Sequence, residues 1–176
     1  MTRDSFLLLV ALSVAIVAAV FDVQQHRIPN WLTYPGIVLG LALRGALLGG
    51  KGLLSGLAGF FLAGGIIFLF FLVRAMGAGD VKLMAVVGAF AGVGEAGAAL
   101  LATAIFGGVL AIVYALYRGR LWATFKNVGA VLKFHAWAGA QAHPDLNLDN
   151  PTALRIPYGL AIALGTLYTF VAVWRR

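Results

Sequence analysis

The chain has 176 residues, of which 62% are hydrophobic and only 11% charged, with a mean hydropathy of +0.96, far outside the range of soluble domains. Its lack of cysteine excludes a disulfide framework, a cysteine-based zinc site and a thiol nucleophile. The 13 Lys+Arg outweigh the 6 Asp+Glu to give +7, but the basic residues mostly lie between apolar stretches, as topology signals and anionic-lipid contacts rather than as a nucleic-acid surface.

A bilayer core takes about 20 apolar residues per helix, with a usable range of about 17 to 25. On that scale the sequence predicts spans at 5–22, 34–50, 52–73, 81–94, 96–117 and 153–174. The expected fold class is therefore all-α, a polytopic transmembrane bundle of about six helices. No polar block is long enough for a separate soluble domain, so residues 1–176 are expected to form one domain.

The first segment, Thr2-Arg3-Asp4 followed by Ser5 to Val20 with Ala18 and Ala19, has the outline of a signal peptide. Its n-region carries no net charge, however, and cleavage after Ala19 would leave Asp22 near a free terminus. It is read as the first span. The second span contains Arg44, within snorkelling reach of an interface, which favours a structural role over an ion pathway. Gly52-x3-Gly56 and Gly88-x3-Gly92 have the small-residue spacing that lets membrane helices approach closely. The fourth span is short, and Gly92-Val93-Gly94-Glu95 is a poor helix centre, so 81–117 reads as a tight hairpin.

Connections 23–33, 74–80 and 118–152 carry His26, Arg27, Arg74, Arg118, Arg120, Lys126 and Lys133, whereas the alternate connections offer Lys51 and Glu95. The positive-inside rule makes the first set cytoplasmic and both chain ends external, with Arg175 and Arg176 the counter-signal. Asp22 and Asp80 then share the cytoplasmic face, with Glu95 on the opposite one and dispensable for catalysis. Within 118–137, Leu121, Phe125, Val128 and Leu132 recur at i, i+4, i+7, i+11 beside basic residues, the pattern of a helix lying on an anionic membrane surface. A solvated loop is the alternative.

Only six acidic residues exist, and Asp22 and Asp80 bound long apolar helices, where a charge entering the core costs on the order of 3 kcal/mol. Singly, each has a plain explanation: Asp80 as an N-cap ahead of Val81-Lys82-Leu83-Met84, Asp22 as an interface marker. Together they offer more. Two carboxylates in a poorly solvated site do not both ionise easily, so one holds a proton while the other acts as base, the arrangement that hydrolyses a peptide bond. Gly77-Ala78-Gly79-Asp80 places glycines Gly77 and Gly79 before the second carboxylate, permitting φ > 0 and close approach of an extended substrate. Lys82 can bias the pair, contact a substrate carboxylate, or simply snorkel. Pro29 and Asn30 turn the chain just after the first carboxylate.

Three segments in this order, Asp22-Val23-Gln24-Gln25-His26-Arg27-Ile28-Pro29-Asn30-Trp31-Leu32-Thr33, Gly77-Ala78-Gly79-Asp80-Val81-Lys82-Leu83 and Arg155-Ile156-Pro157-Tyr158-Gly159-Leu160-Ala161-Ile162-Ala163, resemble the prepilin peptidase (type IV leader peptidase) family, from the first helix to the last. The chain is most similar to the short branch serving Flp/Tad-type pili. The resemblance implies a GxGD-type intramembrane aspartyl protease with Asp22 and Asp80 catalytic, and Gly77, Gly79, Lys82, Arg27, Pro29 and Asn30 as substrate-binding or site-shaping candidates. It further implies prepilin substrates cut after a glycine that ends a short basic leader, on the cytoplasmic side of a bacterial inner membrane, for pilus assembly or secretion. Longer members also methylate the new N-terminus and carry a cysteine-containing cytoplasmic domain. This chain has no cysteine and only a short first connection, so methylation is not carried over; Leu160 stands where many relatives have Pro.

No metal or cofactor is expected, since His26, His135 and His143 lack close ligand spacing. Asp145-Leu146-Asn147-Leu148-Asp149 has alternating oxygens, but Asn150 and Ile156 replace the glycine and glutamate of a calcium loop. Two other readings stand beside the peptidase: a small proton- or cation-coupled transporter using Asp22 and Asp80 as a relay, and a non-catalytic secretion-system scaffold. The first would place its carboxylates near the midplane, often within internal repeats; the second would tolerate Asp-to-Asn at both sites.

Overall fold

A computed structural model describes residues 2–139, 141, 143–147 and 156–176. Among them the fold is all-helical, in five elements: α1 (Arg3–Gln25), α2 (Asn30–Leu72), α3 (Ala78–Tyr117), α4 (Leu121–Ala138) and α5 (Tyr158–Trp174). Elements α1, α2 and α3 are long and apolar enough to cross a membrane, and α5 is a shorter apolar helix.

The expectation of about six helices meets five because predicted neighbours are merged. Residues 34–50 and 52–73 both fall in α2, and 81–94 and 96–117 both fall in α3. Each merged element is broken at one glycine, Gly49 (φ 69°, ψ −164°) in α2 and Gly92 (φ 70°, ψ 172°) in α3, a backbone region open essentially to glycine alone. Both elements double back there. In a straight helix Leu41 and Gly56 would lie about 22 Å apart, yet a Cβ on Gly56 would sit 3.2 Å from Leu41 Cδ2. Asp80 and Gly107, about 40 Å apart along a straight helix, both adjoin Tyr158. The expected last span begins within residues outside those described, and its helix starts at Tyr158 after Pro157.

Residues 83–92 of α3 are buried without interruption, which marks this stretch as the central rod of the bundle. Around it pack Ala18 from α1, Ala63 and Ile67 from α2, and Ile162 from α5. Glycine makes the α2–α3 approach possible: a Cβ on Gly59 would collide with the Gly88 carbonyl, and one on Gly88 with the Gly59 carbonyl. Of the small-residue pairs seen in the sequence, Gly56, Gly88 and Gly92 lie in this interface, Gly92 being the chain reversal as well, whereas Gly52 faces Arg44 and Leu48 of its own hairpin.

One end of the bundle is closed by charge pairing. Arg44 donates from Nη1 to the Phe90 carbonyl at 2.6 Å and from Nη2 to Asp4 at 3.2 Å. Arg3 donates to the Leu47 carbonyl at 2.7 Å, and Arg176 pairs with Glu95 at 3.0 Å. Glu95 and Arg44 therefore serve structure, and the opposite end is left for Asp22 and Asp80. Helix α4 covers the stretch expected to be amphipathic and leaves Trp122, Phe125 and Val128 exposed alongside Lys126 and Lys133.

Candidate active site

Asp22 lies one turn from the end of α1. The helix closes on His26, which takes a left-handed conformation (φ 50°) and donates its N–H to the Asp22 carbonyl at 2.8 Å, a C-terminal cap that redirects the chain at once. Pro29 then precedes the first turn of α2 in extended conformation. The Asp22 side chain is buried, and its Oδ2 accepts the Gly159 N–H at 2.8 Å from the first turn of α5, 137 residues away.

Asp80 sits in the first turn of α3. Its Oδ2 accepts the Gly77 N–H at 3.1 Å while its own N–H donates to the Gly77 carbonyl at 3.1 Å, so the carboxylate caps the helix and is oriented by the cap. Gly77 has φ −80°, and neither it nor Gly79 adopts positive φ, so the expected left-handed backbone is not used here. The close approach instead comes from within the protein: a Cβ on Gly79 would lie 3.1 Å from Ile28 Cβ, and one on Gly77 would lie 3.3 Å from Asp80 Oδ2. Gly79 thereby seats the connection between α1 and α2 against the start of α3, and Gly77 leaves room for the Asp80 carboxylate that caps the helix.

Asp22 and Asp80 line the same two cavities. One, of about 570 Å³, is walled by Phe71, Leu72, Met76, Ile156 and Tyr158 together with His26 and Arg74. The other, of about 490 Å³, is walled by Gln25, Arg27, Pro29, Asn30, Gly79 and Lys82. The carboxylates thus stand at a junction between two rooms: the first combines an apolar wall of Phe71, Leu72, Met76 and Ile156 with polar surface from His26, Arg74 and Tyr158, and the second is polar and basic.

Every sequence-derived candidate falls at this junction. Arg27, Pro29, Asn30 and Lys82 line the polar room, Gly79 borders it, and Gly77 faces both. Lys82 Nζ donates to Asn30 Oδ1 at 2.8 Å and lies 5.0 Å from the centre of the Tyr34 ring, so it ties the start of α3 to the start of α2. Phe71, Leu72 and Met76 carry no functional signal in the sequence, and Tyr158 and Gly159 enter it only within the third segment of the family resemblance, without a role of their own. The position of Tyr158 and Gly159 just after Pro157, at the head of an apolar helix, was the available signal.

Among the described residues no three His, Asp or Glu side chains converge as metal ligands. His135 bonds to the Val131 carbonyl within α4, and His143 accepts the Asp145 and Leu146 N–H groups in a local turn. Arg155 and the Leu148-Asp149-Asn150 part of the calcium-loop reading lie outside the described residues.

Residues 9–112, more than half of the chain and including both aspartates, match the model of the type IV leader peptidase family. The chain belongs to the type IV leader peptidase family. No curated protein and no solved structure matches it. Membership makes this multi-pass membrane protein a protease, and a type IV leader peptidase implies prepilin substrates. The matched region ends within α3, so the α5 contribution of Tyr158 and Gly159 is known from the geometry alone.

Proposed function

We propose that the protein is an aspartic endopeptidase whose catalytic pair is Asp22 and Asp80, acting on prepilins of the Flp/Tad type after the glycine that ends their leader. The observation that carries this reading is the convergence of the two carboxylates, one from the end of α1 and one from the start of α3, on the same pair of cavities.

The chemistry follows from a single proton on the pair. The ionised carboxylate takes a proton from water as its oxygen attacks the scissile carbonyl carbon. The protonated one hydrogen-bonds the carbonyl oxygen and transfers its proton to the departing amine as the C–N bond breaks. The step needs no further group. The flanking rooms would receive the substrate on either side of the scissile bond, and Arg27, Pro29, Asn30, Lys82, Gly77 and Gly79 would shape its path.

The same reading gives one peptidase domain with six membrane crossings, because the reversals at Gly49 and Gly92 divide α2 and α3 into two apolar arms each. The aspartate end carries Arg27 and Arg74, and α4 with Lys126 and Lys133 follows from the α3 end nearer to it. This charge bias supports a cytoplasmic site in a bacterial inner membrane, with α4 resting on anionic lipid through Trp122, Phe125 and Val128.

The test is leader cleavage of a glycine-ended prepilin co-expressed in membranes with wild type, Asp22→Asn or Asp80→Asn, at equal accumulation of all three. Loss of cleavage in both variants is expected. Processing by either variant refutes the paired mechanism and favours a scaffold or relay.

A further inference from the structure

The Asp22 side chain is held by a backbone N–H, which no side chain of its own element can aim. What aims it is the start of α5, and that start is fixed by the residue next to Gly159. The Tyr158 ring is seated against α3 where Gly107 leaves a notch: a Cβ at position 107 would lie 2.6 Å from Tyr158 Cε2 and 3.0 Å from both its Cζ and its hydroxyl oxygen. Gly108, one residue on, has open space at its Cβ position, so the notch belongs to Gly107 alone. The same ring forms part of the wall of the cavity of about 570 Å³ beside the aspartates. At the neighbouring residue a Cβ on Gly159 would lie 3.0 Å from Asp22 Oδ2. Two consecutive residues of α5 are thus pinned on different elements, 158 by its ring on α3 and 159 by its N–H on α1.

We propose that Tyr158 is a positioning residue for the reaction: its ring, wedged in the Gly107 notch, holds the α5 start in the register that keeps the Gly159 N–H on Asp22. This deepens the peptidase reading and rests on it. The hydroxyl oxygen also borders the notch, but the ring atom Cε2 is nearest to it, so ring volume and the absence of a Cβ at 107 are what the wedge rests on. Pro157 preceding the helix limits the conformations open to the α5 start, so the tether that remains adjustable is the ring.

The experiment compares kcat and KM for a purified glycine-ended prepilin with the full-length enzyme in detergent, for Tyr158→Phe, Tyr158→Ala, Gly107→Ala, the Gly107→Ala/Tyr158→Ala double variant, and Gly108→Ala as control. Tyr158→Ala and Gly107→Ala are each expected to lower kcat about 10- to 100-fold with KM within about threefold, the pattern of a misplaced catalytic group. Tyr158→Phe should restore kcat to within a few-fold, and Gly108→Ala should match wild type. Gly107→Ala should cost little once the ring is gone, so the double variant should resemble Tyr158→Ala, the non-additivity of residues in contact. Wild-type kcat in Tyr158→Ala or Gly107→Ala overturns the proposal, as does additivity in the double variant or equal loss in Tyr158→Phe. If Tyr158→Ala does not accumulate, Gly107→Ala against Gly108→Ala and Tyr158→Phe decides. Asp22→Asn in the same assay separates the two readings: an active Asp22→Asn refutes the aspartyl pair, whereas an inactive one beside a fully active Gly107→Ala refutes only the wedge.

Discussion

Gly159→Ala tests directly whether the α5 contact with Asp22 matters to catalysis. The added Cβ would lie 3.0 Å from Asp22 Oδ2, 3.1 Å from Asp22 Cβ and 3.4 Å from Cγ, so either the carboxylate or the α5 backbone must give by a few tenths of an ångström. The first costs part of a hydrogen bond to a carboxylate, worth about 1.5–3 kcal/mol in full; losing about 1–2 kcal/mol of it slows the reaction about 5- to 30-fold. Stability should move the other way or hardly at all, because alanine is favoured over glycine in a helix by about 1 kcal/mol. The assay is cleavage kinetics beside thermal unfolding in detergent. Activity falling by that factor with the unfolding temperature unchanged or raised is the expected result. Wild-type kcat would show that the bond is incidental, and a lower unfolding temperature in proportion to the activity loss would show general damage instead.

Three further outcomes follow from other contacts. Lys82→Met and Asn30→Ala should each lower cleavage about 3- to 10-fold, in keeping with one hydrogen bond of about 1 kcal/mol, and the double variant should lose no more than the worse single one; additive losses would place the two residues in separate roles. Gly49→Ala pays only for its backbone conformation, about 1–3 kcal/mol, since nothing lies within 4 Å of its Cβ position. Gly92→Ala pays the same and also drives a Cβ into the Arg44 guanidinium and toward Ser55 Oγ, 2.6 Å away, adding about 1–3 kcal/mol; equal unfolding temperatures for the two variants would refute this. Arg44→Met should destabilise by about 2–4 kcal/mol because the Phe90 carbonyl loses its charged donor, whereas Asp4→Asn, at a half-exposed partner, should stay within about 1 kcal/mol by chemical denaturation.

How much of this could be read from the sequence depends on whether a feature is expressed in side-chain chemistry. Apolar runs are, because a bilayer demands them, so the membrane segments and the unusual cost of Asp22 and Asp80 at their ends were visible. The α4 stretch was visible for the same reason: its apolar residues recur at helical spacing beside lysines. The reversals were less so. Gly92 fell in a segment marked as a poor helix centre, but Gly49 adjoins Gly50 and lies near Gly45 and Gly52, and composition does not say which of several glycines takes positive φ. That choice is made by what the arms pack against, here Arg44 and Ser55 beside Gly92, where Ser55 accepts the Val93 N–H at 3.3 Å.

The Gly159 donor was hidden for a deeper reason. Every residue but proline carries an N–H, so a backbone contact made across 137 residues leaves no mark in residue type at the donor. What it does leave is a constraint on bulk. Gly159 is small because a Cβ would crowd Asp22, Gly107 because a Cβ would crowd Tyr158, and Gly79 because a Cβ would crowd Ile28. Glycines that look like helix-packing residues in an apolar sequence are here the negative image of the site, recording where α1, α3 and α5 must close around two carboxylates. It follows that activity in this protein should be more sensitive to methyl-sized additions at those three glycines than to the loss of most polar side chains lining the cavities.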